Sequence, residues 1–160
     1  MKLLICGSRS WTDARTIRKD LDYAVQKVKG THRRLCVVSG GAEGADQIGA
    51  ALAELLGARV TVMKPDWDRH GKSAGFKRNL RMLDTDPDVV LAYWDGKSKG
   101  TLHTIKQAVE RGLTVTVRMA DGRTIKRNHG HSSERKAEIC PECDHRAECT
   151  KVKGTDECLL

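Results

Sequence analysis

Apolar residues fall along this chain in short bursts, and between the bursts they recur every third or fourth position. The bursts cover residues 2–6, 34–39, 59–63, 89–93 and 113–117. Each has the length of a strand, and the run Val89, Val90, Leu91, Ala92, Tyr93 is apolar without interruption, as expected of a parallel strand buried on both faces. The intervening periodicity is helical. Over 13–29, Ile17, Leu21, Ala24, Val25 and Val28 share one face, while Arg18, Lys19, Asp22 and Lys27 share the other; Gly30 then stops the helix. Ala50, Ala51, Leu52, Leu55 and Leu56 belong to a second helix, expected over 42–56 and closed by Gly57. A polar loop spans 65–75, after which Phe76, Leu80 and Leu83 mark a short helix. Leu102, Ile105, Ala108 and Val109 point inward from a helix over 101–111. Asp121-Gly122 has the chemistry of a hairpin turn and leads to a short strand at 123–126.

Strands alternating with helices at this spacing specify the α/β class: a doubly wound, mainly parallel five-stranded sheet with helices on both faces. Ligands of such sheets bind outside the carboxyl ends of the strands, where strand order reverses. That rule gathers four loops into one crevice, at 7–11, 40–46, 65–78 and 95–101.

The sharpest of these is Ser39-Gly40-Gly41-Ala42-Glu43-Gly44-Ala45-Asp46, where a strand turns into a helix. Glycines remove Cβ atoms where something must come close, and a helix N-terminus offers unpaired N–H groups and a positive dipole end. An anion cradle and a tightly packed strand-to-helix connection fit this stretch equally well. Arg9 and Arg78 supply guanidinium groups, which match a phosphate bidentately. Trp67 suits either stacking on a base or packing at the rim, with packing slightly ahead. His70 and Lys72 read as solvated loop residues, and Trp11 and Trp94 as packing residues. Cys6 and Cys36 lie on strands and should behave as small apolar side chains.

Taken in order, Gly7-Ser8-Arg9, then Gly40-Gly41-Ala42-Glu43-Gly44-Ala45-Asp46, then Asp66-Trp67-x-x-His70-Gly71-x-x-Ala74-Gly75-x-x-Arg78-Asn79, then Gly100-Thr101 resemble the SLOG superfamily, in its branch related to YspA and YpsA. The likeness runs from Met1 to about Val117. It implies a Rossmann-like fold and nucleotide-like ligands held by Gly7, Ser8, Arg9, Gly40, Gly41, Ala42, Gly44, Asp46, Trp67, Arg78, Asn79, Gly100 and Thr101. The superfamily includes the LOG phosphoribohydrolases, which cleave an N-glycosidic bond, and the single-strand DNA-binding protein DprA. The LOG motif Pro-Gly-Gly-x-Gly-Thr-x-x-Glu ends on a catalytic carboxylate. Here Gly100 and Thr101 fit the phosphate turn, but Thr104 stands where the Glu belongs. Cleavage needs a carboxylate to stabilise an oxocarbenium-like centre or activate water. The catalytic candidates, should there be turnover, are therefore Asp46, Arg78 and Asp95. Asn79 replaces the second basic residue of the LOG pattern, which favours hydrogen bonding to a ribose or base.

Composition narrows the setting. Lys and Arg number 29 against 21 Asp and Glu, a net charge of +8, which favours anionic partners. No apolar run is long enough to cross a bilayer and no secretory leader opens the chain, so a cytoplasmic protein with no membrane partner is expected. In that compartment cysteines serve as thiols or metal ligands more often than as disulfides. Residues 1–127 read as the nucleotide-binding domain and 128–139 as a polar linker. Residues 140–160 carry Cys140-x-x-Cys143-x5-Cys149-x8-Cys158, a small Cys-rich tail. Four closely spaced thiols suit one metal: zinc first, an iron–sulfur cluster as the alternative, with His129, His131 or His145 able to replace one cysteine.

The reading that follows is a module binding a nucleotide or nucleotide-derived ligand, compatible with a sensor. A LOG-like phosphoribohydrolase is the alternative, and DprA-like single-stranded DNA binding a weaker one, because the chain has few aromatics to stack on bases. Nucleic acid is thus not the favoured partner, and the sequence leaves a homo-oligomer open.

Overall fold

A computed structural model of the chain describes residues 1–127; the linker at 128–139 and Cys140, Cys143, Cys149 and Cys158 lie outside the described residues. The elements are β1 (Lys2–Gly7), α1 (Ala14–Val28), β2 (Cys36–Ser39), α2 (Ala45–Leu55), β3 (Arg59–Val62), α3 (Trp67–His70), a 3-10 turn (Gly71–Ser73), α4 (Ala74–Leu83), β4 (Val89–Trp94), α5 (Lys99–Glu110), β5 (Val115–Met119) and β6 (Thr124–Arg127). They build one six-stranded sheet in the order β3-β2-β1-β4-β5-β6. Five strands run parallel, as the burst pattern predicts. The hairpin strand joins as the sixth, antiparallel to β5, with Val115 opposite Arg127.

Side chains leave a strand alternately to its two faces, and the two cores follow from that. Leu3 and Ile5 of β1 pack with Ile17 and Leu21 of α1 and Ala53 of α2. Leu4 and Cys6 pack with Met82 and Leu83 of α4 and Ile105 and Ala108 of α5. The sheet is thereby covered on both faces. The reversal in strand order falls between β1 and β4, so the crevice must open over their carboxyl ends.

Three features depart from the expectation beyond shifts of a residue or two at element ends. Helix α2 starts three residues late because Gly41 and Gly44 hold positive φ values of 67° and 75°, outside helical space. The polar loop at 65–75 contains a turn of α-helix. Asp66 caps it by accepting the Arg69 N–H at 3.1 Å, a signal carried by one side chain rather than by periodicity. Leu55, placed on the apolar side of α2, is 79 % exposed.

Candidate functional site

A cavity of about 500 Å³ opens over the carboxyl ends of β1 and β4, and all four expected loops reach it. Gly7 and Arg9 come from the first loop, Ala42 and Asp46 from the second, Trp67, Arg78 and Asn79 from the third, and Asp95, Gly100 and Thr101 from the fourth. Ser8, Gly40, Gly41 and Gly44 do not line it.

Three of them, Ser8, Gly40 and Gly44, hold the loops to one another. Ser8 is fully buried. Its N–H donates to Tyr93 O at 2.8 Å, its carbonyl accepts from Trp11 and Ala45, and its hydroxyl accepts the Asp95 N–H at 3.0 Å. A Cβ on Gly44 would lie 2.5 Å from the carbonyl oxygens of both Ser8 and Arg9. On Gly40 it would run into the Arg78 guanidinium and the Asp46 carboxylate. Of the two readings of the glycine turn, the structure favours close packing of chain on chain. The α2 N-terminus is likewise engaged internally, because the N–H groups of Ala45, Gln47 and Ile48 bond the carbonyls of Ser8, Ala42 and Gly44.

Asp46 sits under this turn, 3 % exposed. Its carboxylate accepts the Gly7 N–H at 3.0 Å and, at longer range, that of Ala42 at 3.5 Å, so it pins the first loop to the second. Burial pushes its carboxyl up to about 6, against the opposing pull of Arg78 and of the N–H donors of Ala42, Gly7 and Gly40. Beside it, burial also drives the Cys6 thiol strongly upward, so Cys6 lines the cavity as a protonated thiol.

Arg78 is less available than its motif suggests. Its Nη1 donates to Gly40 O and, at 3.4 Å, to Met63 O, and its Nε donates to Asn79 Oδ1 at 2.7 Å. Both edges of the guanidinium fork are therefore partly occupied, and a bidentate grip on phosphate would require breaking one of these bonds. Asn79 is committed too, since its Nδ2 donates to Thr104 Oγ1 at 2.8 Å. Thr104 is fully buried and passes its own proton to Gly100 O at 3.0 Å. The position at which the LOG motif carries its carboxylate is here a strut between α4 and α5.

The Asp95 carboxylate is held by three donors. Its Oδ1 accepts the N–H groups of Lys97 at 2.9 Å and Ser98 at 2.8 Å, and its Oδ2 accepts the Ser10 hydroxyl at 2.8 Å. Burial alone would raise its pKa, but these donors hold the carboxyl well below the usual range. It shapes the loop before α5 as a fixed anion. A general base near neutral pH would need the opposite shift.

What remains for a ligand is a smaller set. Arg9 has no hydrogen-bond or ion-pair partner among the described residues, and neither has Lys72 across the cavity. At the start of α5, Ser98 caps the Thr101 N–H at 3.4 Å, leaving the N–H groups of Lys99 and Gly100 without an acceptor among the described residues. Trp67 and Phe76 complete the wall. Phe76, read from the sequence only as a helix marker, is 41 % exposed and lines the cavity.

A second cavity of about 280 Å³ lies beyond the Ser10–Asp95 bond, which both cavities share as a wall. Its main polar groups satisfy one another: Arg118 pairs with Asp20 and donates to Thr124, while Asp13 caps α1. Among the described residues no group of three or more His, Cys, Asp or Glu side chains is arranged to hold a metal, and no helix is long and apolar enough to cross a membrane.

Comparisons with known proteins agree with this fold. The family model YAcAr, described as the YspA, cpYpsA-related SLOG family, matches residues 1–70. The gene 61 protein of Mycobacterium phage D29 is 38 % identical over 119 residues, covering 71 % of this chain and 93 % of that protein. Among solved structures, DNA processing protein A (DprA) from Streptococcus pneumoniae matches with a TM-score of 0.55 at 20 % identity, over 72 % of this chain. The chain spans about half the length of that protein, 49 %, so the likeness is one of fold.

Proposed function

The chain belongs to the YspA, cpYpsA-related SLOG family, and from that premise we propose that its cavity binds a phosphorylated nucleoside or a ligand derived from one, without cleaving its N-glycosidic bond. The observation that carries the second half is Thr104. A buried hydroxyl bonded to Asn79 and Gly100 O stands where a carboxylate would have to act. The first half is supported by the pairing of an uncommitted Arg9 with the open N–H group of Gly100 at one cavity, next to the open N–H of Lys99. Such groups favour anions through both charge and directed donors, each contributing on the order of 1 kcal/mol or more when desolvated. Gly100 thus acts as the phosphate donor of the turn, while the Thr101 N–H stays with Ser98. Arg78 acts mainly as a frame residue, with Nη2 as its one nitrogen free of a partner among the described residues.

One observation favours the hydrolase reading: Asp46 reaches the cavity with its carboxyl raised to about 6, the range of a general acid or base at neutral pH. Its bonds to Gly7 and Ala42 tie it to the frame, which is why it stands second. A single experiment separates the two. Purified protein is incubated with nucleoside monophosphates while thermal shift and free base are both followed. Binding with no release beyond the uncatalysed rate is expected, and Arg9→Ala should abolish most of the shift. Release at an enzyme-like rate, lost in Asp46→Asn, would replace the proposal with a hydrolase. A short single-stranded oligonucleotide in the same panel tests the third reading. Lys72, Lys77, Arg78 and Arg81, a stretch without acids of which Lys72 and Arg78 line the cavity, support that reading together with the DprA-like fold.

A further inference from the structure

The cavity is chemically two-sided. The first and fourth loops present Arg9, Ser10, Asp95, Ser98 and Thr101, all polar. The third brings Lys72, Arg78 and Asn79 as well, but it alone presents aromatic rings, Trp67 and Phe76, which are 52 % and 41 % exposed. The remaining aromatics are elsewhere: Trp11, Tyr93 and Trp94 are buried, and Tyr23 lies on the surface of α1 with Lys27 Nζ 5.2 Å from its ring centroid. The two exposed rings that face a cavity therefore face the same one, from the same wall.

Neither ring is there to complete the core. Trp67 belongs to the one-turn helix capped by Asp66, and its Cη2 would lie 3.9 Å from a Cβ on Gly75. The indole thus rests within van der Waals reach of the residue before Phe76. Phe76 is fixed from behind by His103, ring to ring at 5.0 Å and 78°, an edge-on contact that leaves another surface of the phenyl ring open. Each exposed ring costs the folded protein hydration free energy that a polar side chain would spare it, so two together at one wall point to a ligand that covers them.

We propose that Trp67 and Phe76 form a stacking wall for the nucleobase of a single free mononucleotide, whose phosphate lies toward Arg9 and the start of α5. This rests on the nucleotide reading above and adds its orientation and its ligand class: base-bearing nucleotides, as distinct from sugar phosphates. The wall reads the face of the base and not its edge. The amide of Asn79, the side chain best placed to read an edge by hydrogen bonds, is consumed by Arg78 and Thr104. Base stacking on aromatic side chains tolerates any base for the same reason.

The test is equilibrium binding to the full chain of AMP, of ribose 5-phosphate, which lacks the base, and of a short oligodeoxyadenylate. Parent, Trp67→Ala and Phe76→Ala are compared, and both exposed positions should leave the fold intact by thermal melting. AMP should bind at least ~10-fold more tightly than ribose 5-phosphate, and each variant should lose roughly 10-fold in AMP affinity while ribose 5-phosphate is unaffected. AMP binding should also quench the fluorescence of Trp67. Equal affinity for AMP and ribose 5-phosphate, or no loss in Trp67→Ala, overturns the stacking wall and leaves the phosphate site standing. An oligodeoxyadenylate binding more than ~10-fold tighter than AMP overturns the mononucleotide and makes a nucleic acid strand the ligand. No binding of any of the three overturns this proposal and the nucleotide reading together.

Discussion

Replacing Thr104 by valine removes one hydroxyl and keeps the shape of the side chain, so it isolates the strut between α4 and α5. Two bonds are lost: the 2.8 Å bond from Asn79 Nδ2 and the 3.0 Å bond to Gly100 O. The Gly100 carbonyl retains a weak contact with Asn79 Nδ2 at 3.4 Å, and this also becomes the main remaining acceptor for the buried amide. A net hydrogen bond contributes about 1 kcal/mol and a buried donor left poorly satisfied costs about 1–3 kcal/mol. A loss of ~2 kcal/mol is therefore expected. With an unfolding entropy of about 2.1 cal/mol/K per residue, a domain of roughly 130 residues loses about 0.27 kcal/mol per degree at its midpoint, so Tm should fall by ~7 °C. Calorimetry measures this directly, and a double-mutant cycle with Asn79→Ala should show coupling of at least ~0.5 kcal/mol. Thr104→Glu, which restores the LOG carboxylate, should be worse still, because the new charge would be buried against Gly100 O. If Thr104→Val matches the parent within ~0.3 kcal/mol, or Thr104→Glu folds normally and begins to release base from AMP, the strut is not what decides this position.

Asp46→Asn reports the raised carboxyl through pH. The folded value of about 6 lies above the ordinary aspartate value of 3.8. The proton therefore favours the folded state: its contribution is complete below pH ~4 and is lost as pH rises through 6. The stability of the parent relative to Asp46→Asn should fall by roughly 3 kcal/mol between pH 4 and pH 7, read from urea midpoints; a flat difference refutes the shift. Gly44→Ala should cost at least ~2 kcal/mol in the same assay, from the φ of 75° and the two carbonyl oxygens in its way, and a neutral result would mean that the loops separate easily. The Cys-rich segment should bind about one zinc per chain through Cys140, Cys143, Cys149 and Cys158, measured by elemental analysis of anaerobically purified protein. Iron with labile sulfide would replace zinc by a cluster, and four freely titratable thiols with no metal would remove the site. Stripping the metal should leave nucleotide-induced thermal shifts unchanged.

Much of this was legible in the chain because it depends on repeating patterns. The uninterrupted run from Val89, the alternation of Leu3 and Ile5 with Leu4 and Cys6, and the helical spacing of Ile17, Leu21 and Ala24 are local signals, and they fix sheet, layers and crevice together. The roles of individual site residues were less legible, because partners are chosen in three dimensions. Arg78 and Asn79 read as ligand contacts, yet the bonds that consume them come from Gly40 and Thr104, 38 and 25 positions away along the chain. Gly40 and Gly44 read equally as cradle and as packing until the carbonyls of Ser8 and Arg9 and the guanidinium of Arg78 were seen beside them. Phe76 could not be told from a core residue, since periodicity records which face of a helix is apolar and is silent on what covers that face.

The interlocking of Gly7, Gly40, Asp46 and Arg78 has an evolutionary consequence. Each occupies space or bonds that another defines, so a change at one is tolerated only with a compensating change at a second; this set must drift jointly or not at all. Arg9, Trp67 and Lys72 are outside that constraint, since their side chains make no hydrogen bond to it. Ligand preference can then be rewritten at the rim while the loops keep their shape. A fold divided in this way into a locked frame and a free lining is suited to diversify its ligands without passing through unfolded intermediates.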